Sequence, residues 1–225
     1  MPEGRARVNL ALGGAPGGGH RPTGDREPGG GHRLLVLALG NDILSDDAVG
    51  LEVARRARAM WDARAAQDAR AAQAARGGAQ AEGQAQAEGQ AQAQAQAQVP
   101  ALVEFREASL SGLALLDVLA GFDAAVIVDA VEFPGTPPGT VLEYDDLGQL
   151  TAPPQRLASV HDVALPAALE FGRRLGMVLP RRVAVVAVQV KDARTFGERL
   201  SPEVAAAVPA AAERVLDRVR RWLED

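Results

Sequence analysis

The sequence predicts an α/β protein, a three-layer α/β/α sandwich around a mostly parallel sheet of roughly five strands. Three observations lead there. The apolar runs Leu34–Leu39, Ala124–Ala130 and Val183–Val190 are continuous rather than alternating, the pattern of strands covered on both faces. Helical segments fall between them, as the crossovers of a parallel sheet require. Polar, turn-forming residues follow the strands directly, where such sheets carry their ligand-binding loops.

Taken in order, the first run stops at Gly40-Asn41, and Ser45 and Asp46 both suit the N-cap of the helix that Val49, Val53 and Ala57 continue. Asp47 then falls in a first helical turn just past a strand end, where the positive end of the helix favours an ionised carboxylate. Leu102–Arg106 reads as a second strand and Leu113–Leu119 as a short helix. The third strand reaches its end at Asp129. Phe133–Gly139 holds three prolines and two glycines and forms a loop, after which Thr140–Tyr144 alternates as an edge strand. Pro166 suits a first helical position, so the next helix starts near Leu165 and His161 lies in the loop or single turn before it. Val183–Val190 is the last buried strand. Ser201-Pro202-Glu203 caps and starts a terminal helix carrying Val204, Val208, Val215, Val219 and Leu223, expected to bend at Pro209.

The chain has 225 residues, room for one α/β domain or two small ones. Residues 1–32 are rich in Gly, Pro and Arg, lack the apolar core of a signal peptide, and are expected to be a disordered tail. Residues 33–225 are expected to be a single domain, interrupted by an insertion over residues 62–98 composed almost entirely of Ala, Gln, Arg, Glu and Gly. Its first part favours helix and so extends the preceding one, but no apolar stripe anchors it. The lack of cysteine removes disulfides, thiolate zinc sites and cysteine nucleophiles. A net charge of −5 argues against a nucleic-acid surface. No apolar run approaches the roughly 18 residues needed to cross a bilayer, so a soluble, cytoplasmic protein is expected.

Asp47, Asp129 and His161 stand apart because each lies where an element ends on one side of the sheet. His161 is also the only one of the three histidines outside the glycine-rich tail that holds His20 and His32. Two carboxylates and an imidazole suit a borderline divalent ion such as nickel or zinc, and three protein ligands leave a position open for substrate or water. Plain structural roles are open to each residue as well. Asp46 and Asp47 can cap a helix, Asp129 can accept from turn amides, and His161 can be a hydrogen-bonded loop histidine. A Ser-His-Asp triad from Ser45, His161 and Asp129 is a further arrangement, since triads are defined by geometry rather than by order. A dinucleotide site is disfavoured, because no Gly-x-Gly-x-x-Gly is present and Asp46 and Asp47 would repel phosphate.

Gly40-Asn41 followed by Ser45-Asp46-Asp47 and Gly50, then Val128-Asp129-Ala130, Ser159-Val160-His161 and Phe196–Val204, resemble the hydrogenase maturation proteases. That family trims the C-terminus of the large subunit of nickel-iron hydrogenases. The resemblance covers residues 33–223 apart from the insertion. Two positions differ: the residue matching Asp47 is often Glu, and the family often has Asp-Gly-Gly-Thr where this chain has Glu107-Ala108-Ser109-Leu110. The resemblance implies an endopeptidase whose partner is the large-subunit precursor. It further implies that nickel is carried by that substrate rather than stored in the enzyme, and that Asp47, Asp129 and His161 engage it as metal-binding and catalytic residues. A non-catalytic chaperone that checks for nickel would keep the same three residues.

Overall fold

The computed structural model describes residues 32–79, 102–145 and 165–225. The elements are β1 (Arg33–Leu39), a 3-10 turn at Ser45–Ala48, α1 (Val49–Ala79), β2 (Leu102–Ala108), α2 (Ala114–Leu119), β3 (Ala124–Val131), β4 (Val141–Tyr144), α3 (Leu165–Arg174), β5 (Arg182–Gln189) and α4 (Pro202–Glu224). The strands form one sheet in the order β2-β1-β3-β5-β4, parallel except for β4, which runs antiparallel along β5 at the edge.

The continuous apolar runs are explained by cover on both faces. Along β1 and β3, Leu34, Val36, Ala38, Val126 and Val128 pack with Val49 and Val53 of α1 and with Val204, Val215 and Leu216 of α4. The intervening Leu35, Leu37, Ala125 and Ile127 pack with Leu115 and Leu119 of α2 and Leu169 of α3. Six of the seven residues of β1 and all eight of β3 are buried. Arg218 of α4 closes the edge, pairing with Glu143 of β4 at 3.4 Å and with Asp145.

Topology sets the place of the site. From β1 the chain passes to β2 on one side, then returns to β3 on the other, so the connections diverge between β1 and β3. A crevice opens outside the strand ends at such a point. The last β1–β3 partners are Ala38 and Val128, while β1 stays paired with β2 one residue further, at Leu39 and Ala108.

Several boundaries differ from those expected. β3 does not end at Asp129 but continues to Val131, because β5 supplies partners as far as Gln189. β2 likewise runs to Ala108, held beside β1. Neither Ser45 nor Asp46 caps a helix: Leu44 occupies the N-cap position of the 3-10 turn without a side-chain cap bond, and α1 follows from Val49. α4 starts at Pro202 and runs unbroken through Pro209 to Glu224. Its first residue is as expected, but Ser201 makes no side-chain cap bond to the helix.

α1 carries the first part of the 62–98 tract as helix, to Ala79, and side chains 62–75 are exposed. The sixteen residues Val49–Arg64 already span about 24 Å. Seven-residue β1 spans about 23 Å, so α1 has returned to the level where β2 begins before the tract is a few residues old.

Candidate active site

Asp47 is brought to the end of β1, beside β3, by a turn with little freedom. Leu44 N–H donates to Asn41 O at 3.1 Å, and Asp47 N–H donates to Leu44 O at 2.9 Å. Two glycines let this turn lie against the strand ends. A Cβ on Gly40, at φ +152°, would lie 2.3 Å from Asp47 O. One on Gly50 would lie 2.2 Å from Leu39 O and 2.8 Å from Val128 O. Only hydrogen fits in either place. The Asp47 residue is fully buried, at 0 % exposure.

The neighbouring carboxylate does something else. Asp46, also 0 % exposed, accepts four hydrogen bonds. Ser201 N–H donates to Oδ1 at 2.6 Å, while Lys191 N–H, Asp192 N–H and Ser201 Oγ donate to Oδ2 at 3.1, 3.2 and 3.0 Å. A carboxylate so engaged by its own chain has little lone-pair capacity left for a ligand. Of two adjacent acids, therefore, Asp46 is structural and Asp47 is the candidate.

Asp129 lies on β3 one residue past its last partner pair with β1, opposite Ala187 of β5, and is 4 % exposed. Its Oδ1 accepts from Ala130 N–H at 2.8 Å, so part of the plain role open to it is realised. The period of two along β3 puts it on the face of Ile127, the side covered by α2 and α3. Asp47 and Asp129 thus reach the same strand ends from two elements, and the turn bearing Asp47 packs on β3.

His161 lies outside the described residues, as do residues 1–31 and 80–101. Among the described residues no group of three or more His, Asp or Glu converges as a metal cluster. Ser45 Oγ donates to Arg199 O at 3.4 Å, facing the 197–199 loop. Two cavities among the described residues, of about 210 and 390 Å³ and lined by Arg181, Arg182 and Trp222, open at the opposite, N-terminal ends of the strands.

The structure also assembles residues the sequence did not single out for the site. Phe196 forms an antiparallel bridge with Leu44, and Gly197 N–H donates to Ile43 O at 3.1 Å. The Phe196–Val204 motif therefore lies against the first motif, with Phe196 and Ile43 79 % and 55 % exposed beside it. At the start of this loop, Asp192 accepts from the Thr195 side chain and from the N–H groups of Arg194 and Thr195, which hold its carboxyl below the usual range. On the other side, Ser109 Oγ donates to Gly40 O at 2.6 Å. The Glu107–Leu110 segment thus closes onto the Gly40 turn without glycines of its own, and Gly112, at φ 62°, supplies the left-handed residue.

A family model described as hydrogenase maturation protease matches residues 90–218, a stretch that includes Asp129 and His161 and begins after Asp47. Hydrogenase expression/formation proteins HupD of Rhodobacter capsulatus and of Rhizobium leguminosarum bv. viciae are each 26% identical, over 55% and 53% of this chain and 58% of their own length. The chain thus spans little more than half the length of these relatives. In fold it is similar to the hydrogenase maturating endopeptidase HybD from E. coli. The TM-score is 0.55 at 24% identity, over 84% of this chain and 93% of the other. With the family model matched over more than half of its residues, this chain belongs to the hydrogenase maturation proteases.

Proposed function

We propose that the protein is an endopeptidase that removes the C-terminal peptide of a nickel-iron hydrogenase large-subunit precursor after nickel has been inserted. The observation that carries this reading is the delivery of two buried carboxylates, Asp47 and Asp129, to the strand ends where β1 and β3 diverge. The third group is His161. α3 begins at Leu165, and four residues span at most about 14 Å when extended. The loop after α3 bonds to the residues just before β3, Gly121 N–H donating to Val178 O and Arg181 N–H to Asp123 O, each at 2.9 Å, so α3 runs away from the carboxylate end and begins toward it.

In this reading Asp47, Asp129 and His161 engage the nickel that the precursor already holds. The oxygen and nitrogen donors suit that ion, and a set of three is small for a protein that keeps its own metal. The scissile peptide then lies beside a Lewis acid that polarises its carbonyl or acidifies a bound water. Water adds to the carbonyl carbon, the C–N bond breaks, and the leaving amine takes a proton. In this reading the enzyme is an aspartic-type endopeptidase whose acidic groups are Asp47 and Asp129, and it works in the cytoplasm, where it meets its precursor.

The test is to incubate metal-stripped protein with nickel-loaded and nickel-free precursor and read the C-termini by mass spectrometry. Cleavage of the loaded form alone is expected. Equal cleavage of both forms defeats nickel-marked recognition and favours the triad of Ser45, His161 and Asp129. Tight binding without cleavage identifies a nickel-checking chaperone.

A further inference from the structure

We infer that Asp46 is a positioning residue for Asp47: its carboxylate ties the turn that carries Asp47 to both ends of the 191–201 strap. The inference rests on the protease reading, in which the placement of Asp47 matters to the reaction.

One end of the strap, Lys191 and Asp192, donates two backbone N–H groups to Asp46 Oδ2, and the other end, Ser201, donates its N–H and its hydroxyl. Asp46 N–H returns a bond to Asp192 O at 3.1 Å. Between these ends the strap stays against the same turn. Phe196 bridges Leu44, Gly197 N–H reaches Ile43 O, and Arg199 O accepts from Ser45 Oγ. Each residue from Ile43 to Asp46 is therefore bonded to the strap, and Asp47 comes next. Because Ser201 leads directly into α4, the same carboxylate couples the turn to a helix packed across the sheet from Val204 to Val219.

The chemistry asks for a carboxylate. Both oxygens accept, so an amide would set its NH₂ against at least one N–H donor. A glutamate would need space for another methylene at a position with 0 % exposure.

Asp46→Asn in the full chain tests this, with Ser201→Ala as a milder variant that removes the hydroxyl and leaves three backbone donors. Two readouts are taken: steady-state cleavage of nickel-loaded precursor, and amide exchange at Asp46, Asp47 and Asp192 against the β3 residues Val126–Val128. Asp46→Asn is expected to lower kcat about 10- to 100-fold with KM changed less than about threefold, as a displaced catalytic group does. Exchange at Asp47 and Asp192 should rise at least about tenfold while β3 keeps its protection. Ser201→Ala should move both readouts in the same direction by less, and it carries the test if Asp46→Asn does not fold. Wild-type kcat in Asp46→Asn overturns the inference, as does protection lost equally across β3. If the wild-type protein cleaves no precursor, the protease reading falls, and unchanged exchange at Asp47 in Asp46→Asn still overturns the positioning role.

Discussion

A methyl group added at Gly50 meets main chain on two sides at once. Its Cβ would lie 2.2 Å from Leu39 O and 2.8 Å from Val128 O, where ordinary contacts begin near 3.4 Å. Both atoms are carbonyl oxygens, one at the end of β1 and one at the last β3 residue paired with β1, with no rotamer to escape into, so the start of α1 must withdraw by about 1 Å. Overpacking costs about 1–3 kcal/mol, and two rigid main-chain contacts met at once put this case in the upper half of that range, at about 2–3 kcal/mol. Against it stands the gain of replacing a helical glycine by alanine, at most about 1 kcal/mol. The steric term wins, leaving a net loss of about 1–2 kcal/mol. In a domain of this size each kcal/mol lowers Tm by about 2–4 °C, so Gly50→Ala should melt about 2–8 °C lower. The larger effect is on chemistry, because the same displacement carries Asp47 with it and a misplacement of about 1 Å can cost about 100-fold in rate. Gly172→Ala in α3 is the control: its Cβ would meet Leu179 Cδ1 at 2.7 Å and Leu116 Cδ1 at 3.1 Å, side-chain tips that can turn aside. It should keep wild-type cleavage. Thermal unfolding and precursor cleavage decide the matter together. A Gly50→Ala protein with unchanged activity and an equal or higher Tm would refute the claim that this glycine sets the position of Asp47.

Asp47→Asn, Asp129→Asn and His161→Ala should each lower precursor cleavage at least about 100-fold, since each removes a charge or a donor from the set proposed to engage the substrate's nickel. Circular dichroism should show the fold retained, and near-normal cleavage by His161→Ala would defeat the assignment of the third group. Replacing Ala65–Gln98 by a short Gly/Ser linker should leave Tm and cleavage close to wild type, because α1 has spanned the sheet by Arg64 and side chains 62–75 face solvent. Loss of folding would show that the tract supports the core, and loss of cleavage alone would show that it docks the substrate.

What was legible in the sequence is the part governed by burial. The runs Leu34–Leu39 and Ala124–Val128 announce strands covered on both faces because no polar residue interrupts them, and the sheet bears this out. Strand ends were read less well. Asp129 looks like a terminus because it is the first charge after an apolar run, yet pairing with β5 carries the strand past it to Val131. The caps failed for a related reason. Ser45 and Asp46 have the right chemistry to bind helix N–H groups, but partners in residues 191–201, some 150 positions away, engage their side chains instead: Arg199 O accepts from Ser45 Oγ, and Lys191, Asp192 and Ser201 donate to Asp46. Local pattern cannot reveal a partner so distant in sequence. Gly40 and Gly50 were visible as motif residues, but the need for glycine follows only once Leu39, Asp47 and Val128 are placed around them.

The two adjacent carboxylates show why a turn, rather than a regular helix, precedes α1. In a 3-10 turn successive side chains diverge by about 120°, so neighbours cannot share one task. Asp46 is directed into the donors of the strap, while the turn that carries Asp47 packs on β3. Holding Asp46 by both oxygens therefore limits where the Asp47 backbone can lie, because one rigid peptide plane joins the two residues. The pair is not redundant. Asp46 cannot stand in for a lost Asp47, because freeing its oxygens would break its bonds to Lys191, Asp192 and Ser201, hydrogen bonds to a charged group that contribute about 1.5–3 kcal/mol each. On the proposed reading, in which the substrate brings the nickel, this division of labour leaves the donor set incomplete for the substrate to complete, while Asp46, engaged by the strap, holds its geometry.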